Sequence, residues 1–231
     1  SPPLRVLVLG EANICRSPIA EAVLRAELVA LGLEASISCA SKAVHDYAQG
    51  EGVPMSVREA CVAAGLPEPV AGHRARKWSP EWDVCDFDLL VAVDRYVAAD
   101  ALKEVAVWDT IQKQVEYTSR IRGLYEFGTP PQEIEDPLYG NVGGEDEAAA
   151  VRRSLAALRN TASGLAAMLA TAVGEVSITG PEERPEALRG ALAAMLTGMG
   201  AFEWDAPPML SKRKPNLEVS DDGLFSIGAD I

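Results

Sequence analysis

Sulfur and imidazole are scarce in this chain of 231 residues, which has four cysteines and two histidines. Cys15, Cys39, Cys61 and Cys85 show no close pairing, which argues against a disulfide framework and a zinc-ligand spacing and fits a reducing compartment. The expectation is an intracellular protein of the cytoplasm or of an organelle interior such as the chloroplast stroma or mitochondrial matrix. The start at Ser1 rather than Met is consistent with trimming of a leader or tag. Positive charge is also short: 21 Lys and Arg against 34 Asp and Glu give a formal net charge of −13. That balance argues against binding nucleic acid through its phosphates or an anionic membrane through a basic face, and disfavours a highly acidic substrate. No apolar run is long enough to span a bilayer. The best stretch, Leu155 to Val173, is interrupted by Arg159 and Asn160. No metal or cofactor is expected.

What is present begins at the N-terminus. The apolar run Leu4-Arg5-Val6-Leu7-Val8-Leu9 reads as a strand, Gly10-Glu11-Ala12-Asn13-Ile14-Cys15-Arg16 as a turn, and Ser17-Pro18-Ile19-Ala20-Glu21-Ala22-Val23-Leu24-Arg25 as a helix. A run of short residues between strand and helix turns backbone N–H groups toward one point, where the helix N-terminus adds partial positive charge. An anion fits there. Pro18 suits the first helical turn, where its missing N–H has no partner, and Ser17 is a favoured cap. Arg16 carries a planar fork of donors able to clamp two oxygens of a phosphate.

The unbroken stretch from Asn13 to Ala22, Asn-Ile-Cys-Arg-Ser-Pro-Ile-Ala-Glu-Ala, resembles the signature loop of the low-molecular-weight protein tyrosine phosphatases, whose pattern is a strand, Cys-x5-Arg-Ser-Pro and a helix. The resemblance implies a loop of residues 11 to 17 around an oxyanion, phosphate or phosphotyrosine, with Arg16 as its clamp. It also implies a nucleophilic cysteine six residues before Arg16, and that position is Gly10, which has no side chain to attack phosphorus. The residues six places after Cys15, Cys39, Cys61 and Cys85 are Glu21, His45, Pro67 and Val91, so none of the four has an arginine at the required spacing. Cys15 matches a second loop cysteine of the family, which there can form a disulfide with the nucleophile. With Gly10 opposite, it reads as a small buried hydrophobe or, less simply, as a redox group. Ala12 replaces a glycine of the pattern, and Glu11 sets a carboxylate near the mouth, where it repels phosphate unless turned to solvent.

Other parts of the pattern recur in order. Glu135-Asp136-Pro137-Leu138-Tyr139-Gly140-Asn141 resembles the family's Asp-Pro loop, which assigns Asp136 as general acid and Tyr139 as the survivor of two cleft aromatics, the other being Leu138. Asp-Pro by itself is also an ordinary turn. His73 resembles the histidine that braces the loop asparagine, here Asn13. Tyr47 falls near the family's aromatic at the cleft mouth, and His45 reads as an exposed polar residue.

The expected fold is α/β, a three-layer arrangement of a four-stranded parallel sheet with helices on both faces, plus a C-terminal extension. Beyond the first unit, strands are expected at 35–40, 88–93 and 104–108, and helices at 54–64, 96–103 and 145–172. Residues 1–175 then form the phosphatase-like domain, with a longer insertion at 109–133. Its Tyr117, Tyr125 and Phe127 dock either on the domain itself or on another chain. Residues 176–231 form an extension: a linker at 180–185, an amphipathic helix near 186–196, an apolar irregular stretch at 201–210 and a basic cluster at 212–215. Gly180 to Ile231 is the candidate surface for a protein partner, with the 109–133 insertion as a second candidate. Three functions follow: a silent phosphatase relative serving as a binding or structural subunit, an active phosphatase in which water attacks phosphorus, or a phosphotyrosine reader.

Overall fold

The computed structural model describes residues 4–112, 117–139, 144–176 and 184–200, together with two short strands at 216–219 and 225–228. β1 (Leu4–Gly10) is buried along almost its whole length, as a strand covered on both faces must be. It lies at the centre of a parallel sheet between β2 (Ile37–Ala43) and β3 (Leu89–Ala92), with β4 (Ile121–Gly123) at the edge beyond β3. The register pairs Leu7 with Ala40 on one side and with Leu90 on the other, and Leu90 with Ile121.

Helix α1 (Arg16–Ala30) follows the first turn, and α2 (Met55–Ala63) and α3 (Pro80–Asp86) lie between β2 and β3. Helix α4 (Arg95–Gln112) follows β3, and the chain ends its described body with α5 (Gly144–Glu175) and α6 (Arg184–Gly198). α1, α5 and α6 pack together on one side of the sheet, and α3 and α4 on the other. α5 buries Leu155, Leu158, Leu165 and Leu169 with Ala162 between them, a stripe at alternating three- and four-residue spacing that faces α1. The strands at Asn216–Val219 (β5) and Phe225–Gly228 (β6) pair antiparallel with each other.

The structure corrects the expected fourth strand. Glu104 to Trp108 belongs to α4, where Val97, Ala101 and Val105 are buried at four-residue spacing while Val107 is 56% exposed. A strand would have put Val105 and Val107 on the same face. The fourth strand is instead Ile121–Gly123, inside the 109–133 segment and too short to carry a period. That segment is part of the body: Tyr117 and Phe127 are buried against the core. α6 packs likewise, with Leu188, Leu192 and Leu196 buried and α5 and β1 as neighbours. The expected stretches at 201–210 and 212–215, and most of the 180–185 linker, lie outside the described residues.

One glycine fixes how closely α5 approaches the rest. A Cβ on Gly164 would stand 1.8 Å from the carbonyl oxygen of Phe127. Backbone cannot yield as a side-chain tip can, so Gly164→Ala should lower stability by about 1–3 kcal/mol in urea unfolding.

Candidate functional site

The turn after β1 is stitched down before it begins to curve. The carbonyls of Gly10 and Glu11 accept from the N–H groups of Val44 (2.8 Å) and His45 (3.1 Å), just past β2. Asn13 then takes a left-handed backbone conformation (φ 58°), one that asparagine tolerates better than most residues. Its buried side chain donates to Ser17 Oγ (3.1 Å) and Ser41 Oγ (2.8 Å) and accepts from the Arg76 N–H (3.3 Å). His73 Nε2 donates to the Asn13 carbonyl at 2.8 Å. A carbonyl oxygen only accepts, so the hydrogen of His73 is on Nε2.

α1 starts at Arg16, with Cys15 in the cap position and no side-chain cap. Ser17 is therefore a brace for the loop and not the expected cap. Its side chain also fills the space above Gly10: a Cβ built there would lie 2.3 Å from Ser17 Oγ.

Arg16 is 5% exposed and closely held. Nη1 donates to Asp94 Oδ2 (2.5 Å) and to the Ile134 carbonyl (3.1 Å), and Nη2 donates to Asp136 Oδ2 (2.9 Å). Burial works against its charge, but Asp94 and then Asp136 override that and push its pKa up. Asp94 sits where β3 ends, and its Oδ1 caps α4 by accepting the N–H groups of Tyr96 and Val97, both at 2.8 Å. The sequence reading missed Asp94, although an aspartate between an apolar strand and a helix is an N-cap signal. Asp136 Oδ1 accepts the Leu138 N–H (3.0 Å), so its side chain closes the Asp-Pro turn while reaching Arg16. Loop, β3 terminus and Asp-Pro turn thus converge at the carboxyl ends of the strands, where open α/β sheets place their sites.

The cleft over Arg16 has a volume of about 240 Å³ and is walled by Tyr47, Leu138 and Tyr139. His45 is half-buried rather than exposed. It bonds Asp100 (3.2 Å) and stacks on Tyr47, with ring centroids 6.3 Å apart. The Tyr47 hydroxyl is pushed up to about 12, by burial first and then by the charge of Glu11, with which it shares a hydrogen bond. Glu11 is thus tied to the mouth of the cleft. An oxyanion entering here meets two carboxylates, Glu11 and Asp136, and an arginine whose two terminal nitrogens already have partners.

Cys15 is in the loop but does not serve as a thiolate. Burial, followed by the nearby Asp136, pushes its thiol up to about 12, with Arg16 opposing. Burial also pushes Cys39 to about 12 and Cys61 to about 11, and only Cys85 is exposed. A thiol that is un-ionised and buried reacts slowly. Alkylation of the native protein at pH 8 should therefore mark Cys85 first, leaving Cys15, Cys39 and Cys61 to react only after unfolding. No cluster of three or more metal-binding side chains exists among the described residues, and none of their helices is long and apolar enough to cross a membrane.

A four-stranded parallel sheet whose first turn wraps an arginine, faced by an Asp-Pro loop across a cleft, defines an α/β protein with its candidate site at the carboxyl ends of the strands. The family model for low molecular weight phosphotyrosine protein phosphatase matches residues 5–174, and the chain belongs to that family. It is 31% identical over 158 residues to the low molecular weight protein-tyrosine phosphatase A of Mycobacterium tuberculosis, covering 67% of this chain and 88% of that one. With a low molecular weight protein-tyrosine-phosphatase of Streptomyces coelicolor it shares 30% identity over 170 residues, 71% of this chain and 98% of the other. The crystal structure of a protein tyrosine phosphatase from Entamoeba histolytica, with Hepes in its active site, superposes with a TM-score of 0.61 at 23% identity, covering 75% of this chain and 99% of that one.

Proposed function

We propose that this chain is a catalytically silent member of its family that acts as a binding or structural subunit of a larger assembly. The observation that carries the reading is Gly10 at the start of the loop. It stands where the family pattern has its nucleophile, and the Ser17 side chain lies over it. No other thiol takes over, because Cys15 is buried and un-ionised at neutral pH. The electrostatics support the same reading. Arg16 is bound to Asp94 and Asp136, so an anion must displace the more exposed of the two, Asp136, in order to bind. Removing one member of a concerted catalytic set costs about 10⁶ in rate in a well-studied serine enzyme.

On this reading Arg16 and Asp136 keep family positions without family roles, and Glu11, Ala12, Asn13, Ile14, Cys15 and Ser17, with His73 as support, form a retained anion loop. Residues 1–175 make up the phosphatase-like domain, and 176–231 the partner-docking extension. Because α6 is part of the body, the portion left to meet a partner begins beyond it. Shortening the chain at Asp205 should release it from its assembly on native sizing of a cell extract; an unchanged mass would count against a docking role.

The catalytic half is tested with an aryl phosphate. Wild type and Arg16→Ala should release phosphate at the same background rate. Wild-type turnover that Arg16→Ala abolishes would instead establish an enzyme using water as its nucleophile. A silent wild type that binds phosphotyrosine tightly, and loses it with Arg16→Ala, would make it a reader.

A further inference from the structure

The cleft over Arg16 has the loop of an anion site and the charge balance of a cation site. Three carboxylates, Glu11, Asp94 and Asp136, gather about one guanidinium, and two tyrosines wall the opening above it. We propose that the cleft receives a basic side chain, arginine or lysine, presented by a partner protein. The proposal rests on the reading of this chain as a silent binding subunit and names what that subunit binds.

The first argument is charge. Arg16 contributes one positive charge and the N-terminus of α1 about half of another, which together do not balance three carboxylates. Two groups lining the cleft sense the outcome. Burial acts first on both, but among the charges Asp136 raises the Cys15 pKa more than Arg16 lowers it. At the Tyr47 hydroxyl, Glu11 and Asp136 each outweigh Arg16. A field that disfavours a negative charge at both points favours a positive one. The net charge of −13 on the whole chain draws cationic groups in the same direction.

The walls are the second argument. Tyr47 and Tyr139 are 64% and 82% exposed, large rings held at the rim of a cleft of about 240 Å³. Aromatic rings attract a cation through their quadrupole, and Leu138 between them suits the aliphatic stem of an arginine or lysine. The third argument is what each kind of ligand must break. A phosphate reaches Arg16 only by displacing Asp136, which holds Nη2 at 2.9 Å. A cation displaces nothing. Asp136 accepts Arg16 on Oδ2 and the Leu138 N–H on Oδ1, which leaves each oxygen a further lone pair. Glu11 shares a hydrogen bond with Tyr47, and a carboxylate has acceptor sites beyond that one.

Peptides carrying a single arginine, lysine, citrulline or phosphotyrosine between neutral residues test this, titrated into the full-length protein and followed by the amide NMR shifts of Glu11, Ala12 and Tyr139. The arginine peptide, the lysine peptide or both should shift these amides saturably, and the comparison tells guanidinium from ammonium. Citrulline, close in shape to arginine but neutral, should bind at least about tenfold more weakly, as should the basic peptide to Glu11→Gln. Tyr139→Ala, at an exposed position, should weaken binding without changing urea unfolding. Citrulline binding as tightly as arginine, no saturable shift with either basic peptide, or tighter binding of the phosphotyrosine peptide would overturn the proposal. Failure to bind by a protein that is silent toward an aryl phosphate overturns this proposal alone. Wild-type turnover that Arg16→Ala abolishes overturns instead the reading on which it rests.

Discussion

Asp94→Ala should lower stability by about 3–5 kcal/mol in urea unfolding, the largest loss expected from any single side chain around the loop. The Arg16 guanidinium is buried, and removing Asp94 takes away its most buried partner and leaves the more exposed Asp136 as its remaining carboxylate. The same substitution removes the cap of α4, since both Tyr96 and Val97 donate to Asp94. Asp136→Ala should cost markedly less, because that carboxylate is 27% exposed and water can replace it beside Arg16. It should also strengthen the binding of inorganic phosphate by freeing Nη2. Equal losses for the two variants would mean that the difference in burial between Asp94 and Asp136 does not set how strongly each holds Arg16, and no loss in Asp94→Ala would mean that Asp94 is dispensable.

Gly10→Cys has the other large expected effect, a gain in function. The new thiol would lie at the start of the loop, close to the N-terminus of α1 and beside Arg16, an environment that lowers a thiol pKa. Its Cβ cannot coexist with the present Ser17 rotamer, so the Ser17 hydroxyl must swing away and give up its bond to Asn13. Rotation moves the hydroxyl but not Ser17 Cβ, which lies 2.8 Å from the added Cβ, so the loop backbone must also give by a few tenths of an ångström. Hydrolysis of an aryl phosphate should rise at least ~10³-fold above wild type, a fraction of what a nucleophile contributes to a concerted set. Adding Glu11→Gln should raise it further by removing a repelling charge from the mouth. If Gly10→Cys stays at background while folding normally, the loop has lost more than its sulfur.

Much of this architecture is legible in the sequence where one physical signal dominates. β3 is an unbroken apolar run and β1 is broken only by Arg5, because both faces of the sheet are covered, and α5 shows its buried stripe at three- and four-residue spacing. The loop is legible because Asn13, Arg16 and Pro18 each do something few other residues do there. Failures occur where signals are short or long-range. Glu104 to Trp108 is a short apolar run with two β-branched valines, as a strand has, and only the longer Val97, Ala101, Val105 series shows the helix. Three residues, Ile121–Gly123, are too few to announce an edge strand whose hydrogen bonds come from β3. Asp94 looks like a helix cap from its neighbours, while its contact with Arg16 spans 78 positions and comes from the fold alone. The local sequence of His45 predicts exposure, since nothing near it shows that it stacks on Tyr47.

Whether a phosphoryl group can ever be transferred to this protein separates a silent relative from a working phosphatase. Intact-mass spectrometry of the wild type during incubation with an aryl phosphate at saturating concentration asks that directly, with phosphate release followed in the same sample. The predicted result is an unmodified protein mass and release no faster than in Arg16→Ala. A species heavier by one phosphoryl group, formed and lost as phosphate accumulates, would contradict it.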